Sequence, residues 1–423
     1  MPDIPLEFVL FALTLVCVAV FHHRTFEVAV TGLVVITMYK LAFTQFGDHA
    51  GVAGLGLHLR HEWVTIANLG GLLLGFAVLS AHFEESHVPK ELPRFLPLDW
   101  KGPFVLLVMV FVLSSFLDNI AAALIGGAMA HALFPKVHIG YIAGIVAASN
   151  AGGSGSVVGD TTTTMMWIDG VAPGAVFHAY VAAVVALFVC GIPAAIQQHK
   201  WARMVHNGVA AIDIDWARVM IVAFILATAI AVNVTVNVRF GEHSDALPFL
   251  AIGVWAAILL ASPIRQPDWN AFRSSVKGTI FLLCLVLAAS MMPVEKLPSA
   301  TWKVAMGLGF VSAVFDNIPL TALALEQSGY DWGMLAYTVG FGGSMIWFGS
   351  SAGVAITNLF PQGRSVGQWL KHGWHVAVAY VVGFLLLLAT LGWQPTPLRS
   401  KAASPQPHIA SGAPEAVQLR VLQ

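Results

Sequence analysis

The sequence is poor in charge. Of its 423 residues only 10% are Asp, Glu, Lys or Arg, whereas 57% are hydrophobic and the mean hydropathy is +0.78. Soluble domains carry about 25% charged residues. A chain of this size with so few charges cannot cover a water-facing surface, which excludes an ordinary cytosolic enzyme. The formal net charge is −1, and a nucleic-acid binder would show a basic patch. Cysteine is scarce too: Cys17, Cys190 and Cys284 lie far apart in apolar runs, without a CxxC pair. That argues against a disulfide framework and a zinc site. The sixteen histidines include His22/His23 and His58/His61, read as loop or span-end residues, but no HExxH pattern, so no metal cofactor is expected. Met1–Glu7 lacks a basic segment, so the first apolar run reads as a true span, not a signal peptide.

Long apolar runs are what the chain has in abundance. A membrane-spanning helix needs about 20 apolar residues. Such runs occur near 6–22, 26–44, 64–82, 103–133, 138–168 and 173–196, and again near 218–238, 247–262, 277–292, 303–327, 332–360 and 373–393. The two sets share a rhythm of three simple spans, a run broken by Asp-Asn, a run broken by Gly with Ser or Thr, and a final span. This predicts an all-α polytopic membrane protein built as two repeats, 1–205 and 212–393, followed by a disordered tail, 394–423, rich in Pro, Ser, Ala and Gln. Basic clusters at Lys90/Arg94/Lys101, Lys200/Arg203/Arg218, Arg265/Arg273/Lys277 and Arg364/Lys371 all fall on one side if 103–133 and 303–327 are re-entrant hairpins that exit where they enter. The expectation is therefore an inverted repeat in the inner membrane, each half with a hairpin and a broken helix, and both termini outside.

Polar groups inside the apolar runs are the strongest signals. Asp118-Asn119 and Asp316-Asn317 occupy matching places in the two repeats. An ionised side chain at the bilayer centre costs at least ~2.5–3.5 kcal/mol. A carboxylate beside an amide offers oxygen ligands for a small cation and, once desolvated, can take a proton instead. One group that accepts H⁺ or Na⁺, but not both, is what exchange requires. Capping of a broken helix is the structural alternative, and it is compatible with that role. Asn150 to Thr164 reads NAGGSGSVVGDTTTT, where Gly152, Gly153 and Gly155 should unwind a membrane helix and Asp160 with its threonines adds oxygens. A helix-packing seam explains the glycines equally well. Gly342-Gly343-Ser344 and Gly349-Ser350-Ser351-Ala-Gly353 repeat the pattern without a carboxylate. Lys40, inside a span, is expected to snorkel.

At these residues a family pattern emerges. SSFLDNIAAAL, NAGGSGSVVGDTTTTMMWI and VFDNIPLTA…GGSMIWFGSSAGVA resemble segments of the NhaD-type sodium/proton antiporters, in a superfamily that also holds arsenite permeases and citrate transporters. The likeness covers roughly residues 60–390 and implies two opposed hairpins in an inverted repeat. It also implies a frequently homodimeric assembly, in which a transport domain moves against a scaffold. The family's polar positions map onto Ser115, Asp118, Asn119, Asn150, Asp160, Thr162 and Thr163, and onto Asp316, Asn317, Ser344 and Ser351.

The reading is a secondary transporter exchanging Na⁺ or Li⁺ for H⁺, with Asp118, Asp160 and Asp316 as cation and proton ligands. Its partners are the lipid bilayer, monovalent cations and protons. The alternative is an anion permease for a citrate-like carboxylate or arsenite, against which stands a carboxylate at each tip. An intramembrane aspartyl protease is disfavoured, because Val158 stands where a Gly is expected two places before Asp160.

Overall fold

The structure is a computed structural model that describes residues 5–21, 24–46, 49–91, 96–205, 213–239 and 246–398. It is predominantly helical. In chain order, α1 (Leu6–Val20) and α2 (Thr25–Phe43) lead into a two-residue hairpin, β1 (Gln45–Phe46) with β2 (His49–Ala50), paired antiparallel. Then come α3 (Gly51–Glu85), α4 (Val88–Glu91), α5 (Lys101–Ser114), α6 (Asn119–Leu133), α7 (Ile139–Ser154), α8 (Thr161–Ile168), α9 (Pro173–Phe177) and α10 (Ala179–Trp201). The second half runs α11 (Trp216–Arg239), α12 (Phe249–Ala261), α13 (Trp269–Ser290), α14 (Trp302–Ser312), α15 (Asn317–Gln327), α16 (Trp332–Gly342), α17 (Ser351–Leu359), α18 (Val366–His372) and α19 (Trp374–Leu391). Among the described residues six helical segments are long and apolar enough to cross a membrane: α2, α3, the α9–α10 segment, α11, α13 and α19.

The four long runs are broken where polar residues interrupt them. The break between α5 and α6 ends at Asp118, and that between α14 and α15 ends at Asp316. Each Asp takes the N-cap position with nearly the same backbone torsions (φ −53°, ψ 140° and φ −53°, ψ 142°). The breaks before α8 and α17 end at Asp160 and Ser350, whose torsions also agree (φ −145°, ψ 143° and φ −142°, ψ 152°). Four half-helices thus begin on a side-chain oxygen that satisfies an orphan backbone N–H.

Sequence expectation and structure part company at several points. Gly152 and Gly153 remain helical in α7, and the unwound segment starts only at Gly155. These glycines work as a packing seam: a Cβ on Gly153 would sit 2.7 Å from the Gly159 carbonyl oxygen. Gly343 stands in the same relation to Gly349, at 2.6 Å. Helix α3 is longer than the expected 64–82 run, so His58 and His61 lie within it, not in a loop. Lys40 does not snorkel. It is buried, and its Nζ donates to the Met291 carbonyl (2.6 Å) at the C-terminus of α13, where a cation offsets the helix dipole.

Helices α7 and α16 are buried along almost their whole length, which suits segments that are apolar or small on every face. Helix α7 packs on α5, α6, α10 and α16, whereas α3 and α13 pack on each other, α3 also on α12 and α13 also on α2 and α15. At one end of α3, Arg218 pairs with Glu85 (2.6 Å) and Asp215 pairs with Arg265 (2.7 Å). The Arg265 guanidinium holds the Asp215 carboxyl below the usual carboxylate range. Of the tail, 394–398 runs back over the 328–332 turn: the Gln394 and Thr396 backbone N–H groups donate to Asp331 and to the Tyr330 carbonyl. Residues 399–423, Arg94, the His22/His23 pair and most of the 205–212 boundary lie outside the described residues.

Candidate functional site

The four half-helices converge on one buried carboxylate. Asp160 is 2% exposed. Its Oδ2 accepts from the Thr162 hydroxyl (2.9 Å), and its Oδ1 accepts from the Thr162 backbone N–H (3.4 Å). The Asn119 amide donates to Asp160 Oδ1 (3.3 Å), and the Asn317 amide reaches Asp160 Oδ2 (3.5 Å). The two Asp-Asn pairs therefore deliver their amides, not their carboxylates, to the Asp160 side chain. A further layer ties the halves together. Asn119 donates to Asn150 Oδ1 (3.1 Å), and Asn150 Nδ2 donates to Ser344 Oγ (2.9 Å) and Ser350 Oγ (3.0 Å). A Cβ on Gly340 would meet Asp160 Oδ2 at 3.3 Å, so the absent side chain leaves room beside the carboxylate.

The other expected residues divide. Asp118 is half-buried and caps α6 through the Ile120 N–H (3.1 Å). Asp316 caps α15 through the Ile318 N–H (3.0 Å), and it accepts from the Ser351 hydroxyl (3.0 Å). Both lie near enough to Asp160 for like-charge repulsion. Among the described residues no group of three or more His, Cys, Asp or Glu side chains could hold a metal ion. Asp160 stands at the centre of the amide network, and Asp118 and Asp316 each cap a half-helix beside it. Ser115 and Thr163 face backbone. Ser115 donates to the Gly152 carbonyl (3.2 Å), and Thr163 donates to the carbonyls of Ser156 (2.5 Å) and Asp160 (2.8 Å), which pins the unwound segment. Of the two serines in the Gly349-Ser350-Ser351 break, Ser350 holds the cap position that matches Asp160, and Ser351 donates to Asp316.

A cavity of about 380 Å³ opens onto this site. Its walls include Leu72, Phe76, Ser80 and Glu84 of α3, Asp118, Ala121 and Leu124, Asp160, Thr161 and Thr164, and Ser274, Ser275 and Thr279 of α13. Every ionisable side chain in this lining is acidic. At the opposite end of α8 from Asp160, Glu62 and Thr65 of α3, Asp169, Ser290 and Glu326 surround a cleft of only about 20 Å³. The same two helices, α3 and α13, line both.

No family model matches the chain. Curated proteins do. Sodium/proton antiporter 1 of Arabidopsis thaliana is 26% identical over 345 residues, covering 72% of this chain and 58% of that protein. The Na⁺/H⁺ antiporter NhaD of Halomonas elongata is 24% identical over 295 residues, 58% of each chain. The chain is related to the NhaD-type sodium/proton antiporters. A further NhaD protein, from Vibrio parahaemolyticus, is 26% identical over 339 residues, covering 66% of this chain and 76% of that one. The chain spans about three fifths of the length of the first two relatives. All three relatives are named as antiporters, which are transporters and not enzymes.

Proposed function

We propose that the protein is a multi-pass sodium/proton antiporter of the inner membrane that also accepts Li⁺, with Asp160 as the group that holds cation or proton in turn. The observation that carries the reading is the setting of Asp160. A buried carboxylate is met by amides from both halves, Asn119 and Asn317, at the head of an acidic cavity roomy enough for solvent. The carboxylate, the Thr162 hydroxyl and the Asn150 side-chain oxygen are hard oxygen donors of the kind that small cations prefer. Protonated, the same carboxylate needs no cation, so the two ligands exclude each other. Asp118 and Asp316 raise the local negative potential and cap the half-helices. The matched torsions at the four caps support two repeats of one design; in the proposal these are inverted repeats with opposed hairpins, moving between two openings in a homodimer. The clustered Lys and Arg side is the cytoplasmic one, with both termini outside.

The test is proton flux in proteoliposomes loaded with a pH dye and pulsed with Na⁺, Li⁺, K⁺ and citrate. Proton movement should follow Na⁺ and Li⁺ and vanish in Asp160→Asn, a substitution of equal size that removes the charge. Citrate uptake without any cation-driven proton signal would replace antiport by anion transport.

A further inference from the structure

The walls of the 380 Å³ cavity hold a third carboxylate besides those of Asp118 and Asp160, that of Glu84. Residues Leu72 to Glu84 of α3 line the cavity, a rise of about 18 Å at 1.5 Å per residue. Glu84 is exposed at the end of that stretch, and among the described residues it forms no ion pair. Its neighbour Glu85 behaves differently, because its charge is taken up by Arg218 at 2.6 Å. One helical turn deeper, Ser80 is 8% exposed, and its hydroxyl is buried without a hydrogen-bond partner. A buried hydroxyl left unpaired costs about 1–3 kcal/mol, a cost that a ligand in the adjoining cavity would relieve. Helix α13 adds Ser275 and Thr279 to the same walls.

We propose that Glu84 and Ser80, with the hydroxyls of Ser275 and Thr279, form a loading site for a hydrated monovalent cation at the mouth of the path to Asp160. The proposal rests on the antiport reading of Asp160. One carboxylate with hydroxyls gives a weak oxygen site. Such a site concentrates cations without trapping them, and the acidic lining below it repels anions. Clefts of one charge sign with low-dielectric walls raise the local concentration of counter-ions by about 10-fold or more.

The full chain in proteoliposomes provides the test, with Na⁺-driven proton flux as the readout. Glu84→Gln should raise the Na⁺ KM on the order of 3–10-fold, the effect falling on KM rather than kcat, while Glu84→Asp restores KM toward that of the natural protein. Ser80→Ala should raise KM in the same direction by a smaller factor. Unchanged KM in both Glu84→Gln and Ser80→Ala, with Asp160→Asn inactive, overturns the loading site and leaves antiport standing. An active Asp160→Asn overturns the antiport site itself, whatever Glu84 does.

Discussion

Asn150 offers the sharpest quantitative handle on the site. It is fully buried and makes three side-chain hydrogen bonds, to Ser344, to Ser350 and from Asn119. Interhelical bonds of this kind in membrane proteins average about 0.6 kcal/mol, up to about 1.7. Replacing Asn150 by Ala removes all three, about 2 kcal/mol in sum. It also strands the Ser344 hydroxyl, whereas Asn119 keeps Asp160 and Ser350 keeps the Gly353 N–H. With an orphaned hydroxyl costing about 1 kcal/mol or more, the expected loss is about 3 kcal/mol. The measurement is equilibrium unfolding of the full chain in detergent for Asn150→Ala, Ser344→Ala and the double variant. The double variant should lose about 1.6 kcal/mol less than the two single losses added together, because the shared bond is then lost only once and the stranded group is absent. Additivity within about 0.3–0.5 kcal/mol would mean that the link between the halves is not formed, and the argument for a shared site would fall with it.

Gly153→Ala and Gly343→Ala should each destabilise the protein by about 1–3 kcal/mol, since the new Cβ meets a carbonyl oxygen at 2.7 Å and 2.6 Å. Gly307→Ala in α14, with nothing within 4 Å of the new atom, should instead stabilise it by about 0.5–1 kcal/mol; thermal unfolding separates the two cases. The Asp215–Arg265 pair carries a pH signature. Because the folded carboxyl is held low, its stabilisation is present above the unfolded pKa of about 3.9 and disappears as pH falls through the lower folded value. The Tm difference between the natural protein and Arg265→Ala should therefore shrink on acidification below about pH 4, and a difference that grows there would contradict the assignment.

Much of the site was legible because a charge in an apolar run is costly and demands a reason. Asp118, Asp160 and Asp316 stand out on that ground, and each marks the head of a half-helix. Their roles were not legible. Which carboxylate sits at the centre depends on how four breaks meet in space, and only packing decides that Asp118 and Asp316 turn to cap duty while their neighbouring amides reach inward. The glycines illustrate the same limit: composition allows both a seam and an unwound segment, and the chain uses Gly153 for one and starts the other at Gly155. Ser350 and Ser351 are adjacent and chemically identical, so sequence offers no means of choosing between them. Lys40 departs from expectation because the carbonyl that receives it, at the C-cap of α13, lies 251 positions away in sequence.

The paired openings along α3 have an electrical meaning. From Glu62 to Glu84 the helix rises about 33 Å, close to the ~30 Å thickness of a hydrocarbon core. One end of that ruler borders a cavity roomy enough for solvent, and the other borders a cleft about the size of a single water molecule. A membrane voltage falls across whatever is dry. On the proposed function, an ion arriving at Asp160 through the wide end therefore crosses little of the field. Nearly all of the ~2.3 kcal/mol per charge per 100 mV is then felt between Asp160 and Glu62, so voltage acts on the step that opens the narrow end and hardly at all on cation capture.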